Sequence, residues 1–180
     1  MEEAVFRDQH YELVASCKKG DRKAQAKLYN LYAKAMYNTA LRIVGDTAEA
    51  ADVLQDSFID AFSRLDNFRQ ESTFGLWMKQ IVVNRAISAL RKRRMEFVEI
   101  DDHLDLVAED EEINDLEGEV TRIKEAIAKL PEGYRVVLSL YLLEGYDHEE
   151  IAHILQISEG TSRSQFIRGK RKLLASLKAF

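Results

Sequence analysis

Pro131 is the only proline in 180 residues, and that scarcity constrains the fold more than any other feature of the sequence. Proline interrupts a helix because it lacks the amide donor and its ring clashes with the carbonyl four residues back. A chain with one proline and eight glycines can therefore run helix after helix. Ala, Leu, Ile, Glu, Lys and Arg are abundant in the rest, and no stretch sustains the β-branched alternation of a strand. The expected fold class is all-α. Hydrophobic residues make up 46% of the chain, enough for a core in each of two small helical domains.

Helical spacing first appears over residues 11–18 and continues over 24–44, where Leu28, Leu31, Tyr32, Ala35, Met36 and Thr39 recur three or four apart. Gly45 supplies a stop, and Asp46 with Glu49 has the pattern of a capping box opening the next helix. That helix sets Leu54, Phe58, Ala61, Phe62 and Leu65 on one face. It is expected to end near Asp66, where the run DNFRQEST is rich in turn and cap formers. A fourth helix over 74–94 places Phe74, Trp77, Met78 and Ile81 on its buried side and finishes in RKRR. Val120, Ile123, Ile127 and Leu130 restart the period, and Pro131 suits the first turn of a helix reaching Leu143. Asp147 with Glu150 signals a further capping box, and Ser158 is an N-cap for a last helix that reaches Leu177.

A net charge of −5 argues against a nucleic-acid partner only if the charge is spread evenly, and it is not. Residues 96–119 hold twelve acids and neither Lys nor Arg; without them 26 bases face 19 acids, a balance of +7. The expected organisation is a helical domain over 1–95, an acidic flexible linker over 96–119 and a second helical domain over 120–180. The longest apolar stretch, residues 136–143, includes Ser139 and falls far short of the roughly 20 residues that cross a bilayer. The first twenty residues lack a basic segment followed by an apolar block, so no secretory signal is expected. The lone Cys17 has no internal disulfide partner and stands at helical spacing beside Leu13 and Val14, as a small core residue would. A reducing, cytoplasmic location fits.

Three constellations carry chemistry. The run YDHEEIAHILQISEGTSRSQFIRGKRKLL reads as a short helix, a tight turn around Ile157 and Ser158, and a longer basic helix, the helix-turn-helix pattern. Its second helix puts Ser162, Phe166, Gly169 and Leu173 on one face, suited to packing on Ile151 and Leu155. Arg163, Ser164, Ile167, Arg168 and Arg171 project elsewhere, a guanidinium-rich surface able to bond base edges and phosphates in a major groove. A solvated basic helix is the bland alternative, which the small residues Ser162, Ser164 and Gly169 disfavour. The second constellation joins Arg69, Lys79, Arg85 and residues 91–94 with the aromatic residues Phe68, Phe74 and Trp77, a combination suited to single-stranded nucleic acid. Trp77 reads as core, in phase with Ile81, which leaves the loop 66–73 as the better holder of an extruded base. The third is an acidic stripe in which Asp52, Asp56 and Asp60 stand four apart beside Gln55 and Ile59. Such spacing costs a few tenths of a kcal/mol per pair. A solvated face would explain it; a protein partner presenting Arg or Lys competes with that explanation.

Together these motifs resemble a group-four, extracytoplasmic-function (ECF) sigma factor of bacterial RNA polymerase, a member of the sigma-70 family with sigma domains two and four joined by a linker. AADVLQDSFIDAF resembles the polymerase-binding helix. DNFRQESTFGLWMKQIVVNRAISALRKRR resembles the minus-ten recognition segment, and EEIAHILQISEGTSRSQFIRGKRKLL resembles the minus-thirty-five reader. Their order and spacing cover nearly the whole chain. The resemblance implies that Asp52, Gln55, Asp56, Ile59 and Asp60 meet core polymerase. It implies that Phe68, Arg69, Ser72, Thr73, Asn84, Arg85 and Arg91 handle minus-ten DNA and the melted non-template strand. Arg163, Ser164, Ile167, Arg168 and Arg171 would read the upstream element, and an anti-sigma factor would be a further partner. Four positions depart from the family pattern: Ser162 replaces a usual valine, Gln165 a second basic residue, Gly169 an alanine, and Ser88 a frequent aspartate.

An autonomous regulator with a C-terminal helix-turn-helix accounts for residues 120–180 but not for the loop and basic helix at 66–94. An enzyme is disfavoured. His10, His103, His148 and His153 are scattered, and the five-residue spacing of the last two does not bring both to one helical face as a zinc pair requires. No histidine accompanies the aspartate stripe at ligand spacing, and no glycine-rich phosphate loop or Cys-His cluster is present. Neither a metal, a cofactor nor a small-molecule substrate is expected.

Overall fold

Short polar side chains set where several of the helices begin. The computed structural model describes residues 9–69, 71–96 and 116–178, and the chain divides into two compact units between Arg93 and Arg94. The described residues contain helices and no strand, so the all-α expectation holds. None of these helices is long and apolar enough to cross a membrane.

The first unit contains α1 (Tyr11–Lys18), α2 (Arg22–Val44), α3 (Thr47–Ser63), a 3-10 turn (Leu65–Asn67) and all but the last three residues of α4 (Phe74–Glu96). Asp21 caps α2 by accepting from the amides of Lys23 and Ala24 at 2.8 and 3.3 Å. Gly45 ends α2 in the left-handed region at φ 75°, its amide donating to Leu41 O at 2.8 Å. Asp46 then accepts from the Glu49 amide at 2.8 Å. Only half of the expected capping box forms, because Arg93 near the end of α4 donates to Glu49 Oε2 at 2.8 Å and to Val44 O at 3.3 Å. A long-range partner displaces the local one and ties α4 to the α2–α3 corner.

The buried face of α4 runs through Phe74, Met78, Val82, Val83, Ala86, Ile87 and Leu90. The expected face included Trp77 and Ile81, both of which are half-buried instead. Consecutive Val82 and Val83 widen the core stripe and carry it to the other side of Met78. In α2, Leu28, Met36 and Thr39 are buried, whereas Leu31 and Ala35 face outward. Cys17 is buried as expected; burial first, and the nearby Asp21 second, push its thiol pKa up.

The second unit contains α5 (Leu116–Ala128), α6 (Glu132–Leu138), a π-helical turn (Ser139–Leu143), α7 (His148–Leu155) and α8 (Glu159–Lys178). Pro131 sits at the N-cap of α6, one position before the first turn where it was expected. The single helix expected to reach Leu143 widens at Ser139, where the Glu144 amide donates to Ser139 O at 3.0 Å. Asp147 and Glu150 form the complete capping box of α7. Gln156, at φ 55°, closes α7, and Ser158 Oγ opens α8 by accepting from the Thr161 amide at 3.0 Å. The core gathers Ile127, Leu130, Leu138 and Leu173, with Tyr134, Phe166 and Leu177 against it. Val120 and Ile123 are exposed, so the apolar period of α5 reaches the core only in its second half.

Of the residues expected to form the linker, Glu96 belongs to α4 and 116–119 belong to α5. Residues 97–115 lie outside the described residues.

Candidate partner and nucleic-acid interfaces

The acidic stripe of α3 divides into an open part and a tied part. Asp52, Gln55, Asp56 and Ile59 are exposed, and Ile59 keeps 60% of its surface, an apolar side chain amid carboxylates. Asp60 is half-buried. Arg85 of α4 donates to Asp60 Oδ2 from Nε at 2.9 Å and also from Nη2, while its Nη1 lies 3.5 Å from Asp56 Oδ2. Arg64 adds a longer ion pair with Asp60 at 3.7 Å. Asp60 and Arg85 were expected to serve two different partners. The structure joins them to each other, because successive turns of α3 and α4 put opposite charges side by side.

The loop after α3 is anchored by the residue expected to serve DNA. Phe68 is 3% exposed. Its ring lies 5.1 Å from that of Trp77 and 6.1 Å, edge-on, from that of Phe74, and Lys18 Nζ donates to its carbonyl at 2.9 Å. A ring so enclosed cannot stack on a base, so Phe68 belongs to the core. Trp77, half-buried and packed on both phenylalanines, is a wall of the same cluster. Thr73 Oγ1 accepts from the Leu76 amide at 3.1 Å and caps α4. Its hydroxyl hydrogen is what an outside acceptor could use. Ser72 is half-buried, with its hydroxyl 3.4 Å from the Thr73 carbonyl.

Arg69 and Asn84 are exposed and Arg91 is half-buried. The exposed face of α4 continues through Leu76, Gln80, Asn84 and Ser88, four apart. Sequence reasoning singled out only Asn84 among these, although the same spacing picks out Gln80 equally well.

On α8 the five expected readers separate cleanly from the packing face. Arg163, Ser164, Ile167, Arg168 and Arg171 are exposed, whereas Ser162, Gly169 and Leu173 are buried. Arg163 donates to Glu159 Oε1 from Nε at 3.1 Å, an exposed pair one turn apart that a base edge can displace at small cost. Ile167, apolar among guanidinium groups, has the chemistry to meet a thymine methyl. Gly169 packs closely on α6: a Cβ there would lie 3.0 Å from both Leu138 Cδ1 and Tyr134 Cβ. The departure from alanine is thereby a packing feature and not a reading one.

Comparison with known proteins accounts for this arrangement. A family model described as Sigma-70 region 2 matches residues 28–96, and one described as Sigma-70, region 4 matches residues 121–173. All the residues assigned above to the three surfaces fall inside these two stretches. The RNA polymerase sigma-H factor of Pseudomonas aeruginosa is 33% identical over 94% of both chains. The ECF RNA polymerase sigma-E factor of Escherichia coli K12 is 32% identical over 89% of this chain and 90% of its own. SigW, an ECF sigma factor of Bacillus subtilis, is 29% identical over 92% of this chain and 95% of its own. Among solved structures, CnrH in complex with the cytosolic domain of CnrY matches with a TM-score of 0.54 at 25% identity, over 93% of this chain and 96% of that one. RpoE from Bartonella quintana, solved with the anti-sigma factor NepR, shares the fold at a TM-score of 0.58 and 23% identity, over 85% of this chain and 96% of that one. The chain belongs to the sigma-70 family, among the extracytoplasmic-function sigma factors of RNA polymerase.

Proposed function

We propose that the three surfaces divide the work of promoter-specific transcription initiation between polymerase and DNA. Asp52, Gln55, Asp56 and Ile59 on α3 dock on a basic and partly apolar surface of core RNA polymerase. Arg69, Ser72, Thr73, Asn84 and Arg91, with Gln80 added, handle minus-ten DNA and its melted non-template strand. Arg163, Ser164, Ile167, Arg168 and Arg171 read the minus-thirty-five duplex. In domain terms, 1–95 supplies docking and melting, 96–119 the connection, and 120–180 upstream reading. The chain contributes binding and positioning, while bond-making chemistry belongs to the polymerase, and it works in the cytoplasm where that enzyme is. An anti-sigma protein is a further expected partner, as the family resemblance implies.

The observation that carries this reading is the outward face of α8, where guanidinium groups, a hydroxyl and an isoleucine lie opposite a packed inner face. Run-off transcription with core polymerase over a genomic library tests it. Transcripts should begin downstream of a shared two-part sequence, and should vanish when the chain is withheld. Tight sequence-specific binding of the chain alone, with no transcription on adding core polymerase, would favour an autonomous regulator.

A further inference from the structure

A polar pair joins the two helices of the helix-turn-helix from within. Ser162 lies on the inner face of α8 with 0% of its surface exposed, and its Oγ is 2.9 Å from Nδ1 of His148, the first residue of α7. A buried hydroxyl forfeits its hydration and needs a partner; here the imidazole is that partner. The imidazole is itself confined. It stacks on Tyr141 with ring centroids 4.7 Å apart and meets Phe166 edge-on at 5.4 Å. Tyr141 and Phe166 in turn contact each other at 4.6 Å. The first comes from the π-helical turn and the second from α8, one turn beyond Ser162. The ring is thus held by two elements besides its own helix, and Nδ1 is directed at a single place on α8.

Seven residues further on, Gly169 packs where a Cβ would come within 3.0 Å of Leu138 and Tyr134. The inner face of α8 is therefore fixed at two points about 10.5 Å apart along its axis. Two fixed points determine roll and slide. Arg163 and Ser164 follow Ser162 directly, and Arg168 precedes Gly169, so the direction of each reading side chain depends on how these two points are seated.

We propose that His148 is a positioning residue for promoter reading: through Ser162 it sets the rotation of α8, and with it the directions of Arg163, Ser164 and Arg168. The proposal rests on α8 being the upstream reader. The bond exists in either tautomer of the ring. Where Nδ1 is bare it accepts from the serine hydroxyl, and where Nδ1 carries the hydrogen it donates to Oγ. Bidentate base contacts require aligned hydrogen bonds, whereas phosphate contacts tolerate displacement. A small roll of α8 consequently erodes sequence discrimination before it erodes affinity.

The test uses holoenzyme reconstituted from the full chain and core polymerase. Selection from duplexes randomised at the upstream element first defines the sequence preferred by the wild type. Binding to that duplex and to its single-base variants is then measured for His148→Ala, His148→Asn, Ser162→Ala, Ser162→Val and, as a control, Arg168→Ala. Asparagine places an amide about where Nδ1 stands and preserves the hydrogen bond. His148→Ala and Ser162→Val are expected to lower discrimination about tenfold, with affinity for core polymerase and for random duplex unchanged. His148→Asn is expected to restore most of the loss. Unchanged discrimination in folded His148→Ala, or an asparagine variant no better than alanine, overturns the proposal. Should His148→Ala fail to fold, Ser162→Ala, which removes a single oxygen, carries the same comparison. Arg168→Ala separates the two layers. If it leaves discrimination intact, the reader assignment fails; if it abolishes discrimination while His148→Ala does not, only the positioning role fails.

Discussion

On α8 the residues assigned to DNA all face solvent, while in the loop and α4 the assigned set splits between solvent and interior. Both stretches are basic and both carry aromatic residues. The difference lies in their neighbours. The inner face of α8 meets α5, α6 and α7 and its outer face is exposed, so a side chain's place on the helical wheel decides its role. Phe68 packs on Phe74 and Trp77 of α4 and is held by Lys18 of α1, while α3 brings carboxylates to Arg85 and Arg93. A basic residue next to an acidic helix is a candidate ion pair before it is a phosphate contact.

The largest effect that could break this comparison is in stability. Phe68→Ala should cost about 3–5 kcal/mol, the range for truncating a buried aromatic, read as a lowered urea midpoint with unchanged slope. Ile167→Ala, on the open face of α8, should leave that midpoint nearly unmoved while weakening promoter binding. If Phe68→Ala were as stable as wild type, the loop would be an open base-holding surface after all, and the contrast with α8 would vanish.

A smaller effect sharpens the contrast from the α8 side. Arg168→Ala should weaken upstream-element recognition by about 1–3 kcal/mol if the side chain makes a bidentate base contact. Arg163→Ala should cost less, because Arg163 already has Glu159 to leave. Filter binding of holoenzyme to duplexes with intact and mutated upstream elements measures both. Core-polymerase affinity should stay constant, and its loss in either variant would remove α8 from the DNA.

Much of this was legible in the sequence, and what was not has a common cause. Asp147 with Glu150, Ser158 and Gly45 are local signals whose partners lie within a turn, and each forms as its spacing predicts. The five outward residues of α8 follow from period alone. Glu49 fails as the second half of a capping box because Arg93, forty-four residues away, takes its carboxylate. Phe68 was read as an aromatic surface beside basic residues, whereas it is enclosed by Phe74, Trp77 and Lys18. His148 was weighed only as a metal ligand, since nothing local connects it to Ser162. Spacing reports contacts within an element, and the misplaced residues are those whose contacts cross between elements.

The α3 stripe separates docking from tying. Charge reversal of both Asp52 and Asp56 to Lys should lower core-polymerase affinity about tenfold, roughly 1.4 kcal/mol, with helical content unchanged by circular dichroism. An unaltered affinity in a direct binding assay would return both residues to an ordinary solvated face.

The smallest expected effect decides where Arg85 belongs. Its side chain is 39% exposed and that of Asp60 21%, so their pair is partly screened and should contribute about 0–1 kcal/mol to stability. A double-mutant cycle with Asp60→Asn and Arg85→Met should give a coupling energy of a few tenths of a kcal/mol that shrinks as salt rises. Salt also separates the two roles in function. A cation that neutralises a phosphate releases a counterion, and its removal flattens the logarithmic salt dependence of DNA binding by about 0.7–0.9. A cation engaged with Asp60 and Asp56 releases none. Promoter binding by Arg85→Met holoenzyme should therefore keep the wild-type salt slope, while Arg69→Met, changed at an exposed loop position, should flatten it. If Arg85→Met flattened the slope and showed no coupling to Asp60, Arg85 would leave its carboxylates on meeting DNA, and the α4 surface would be as open as that of α8.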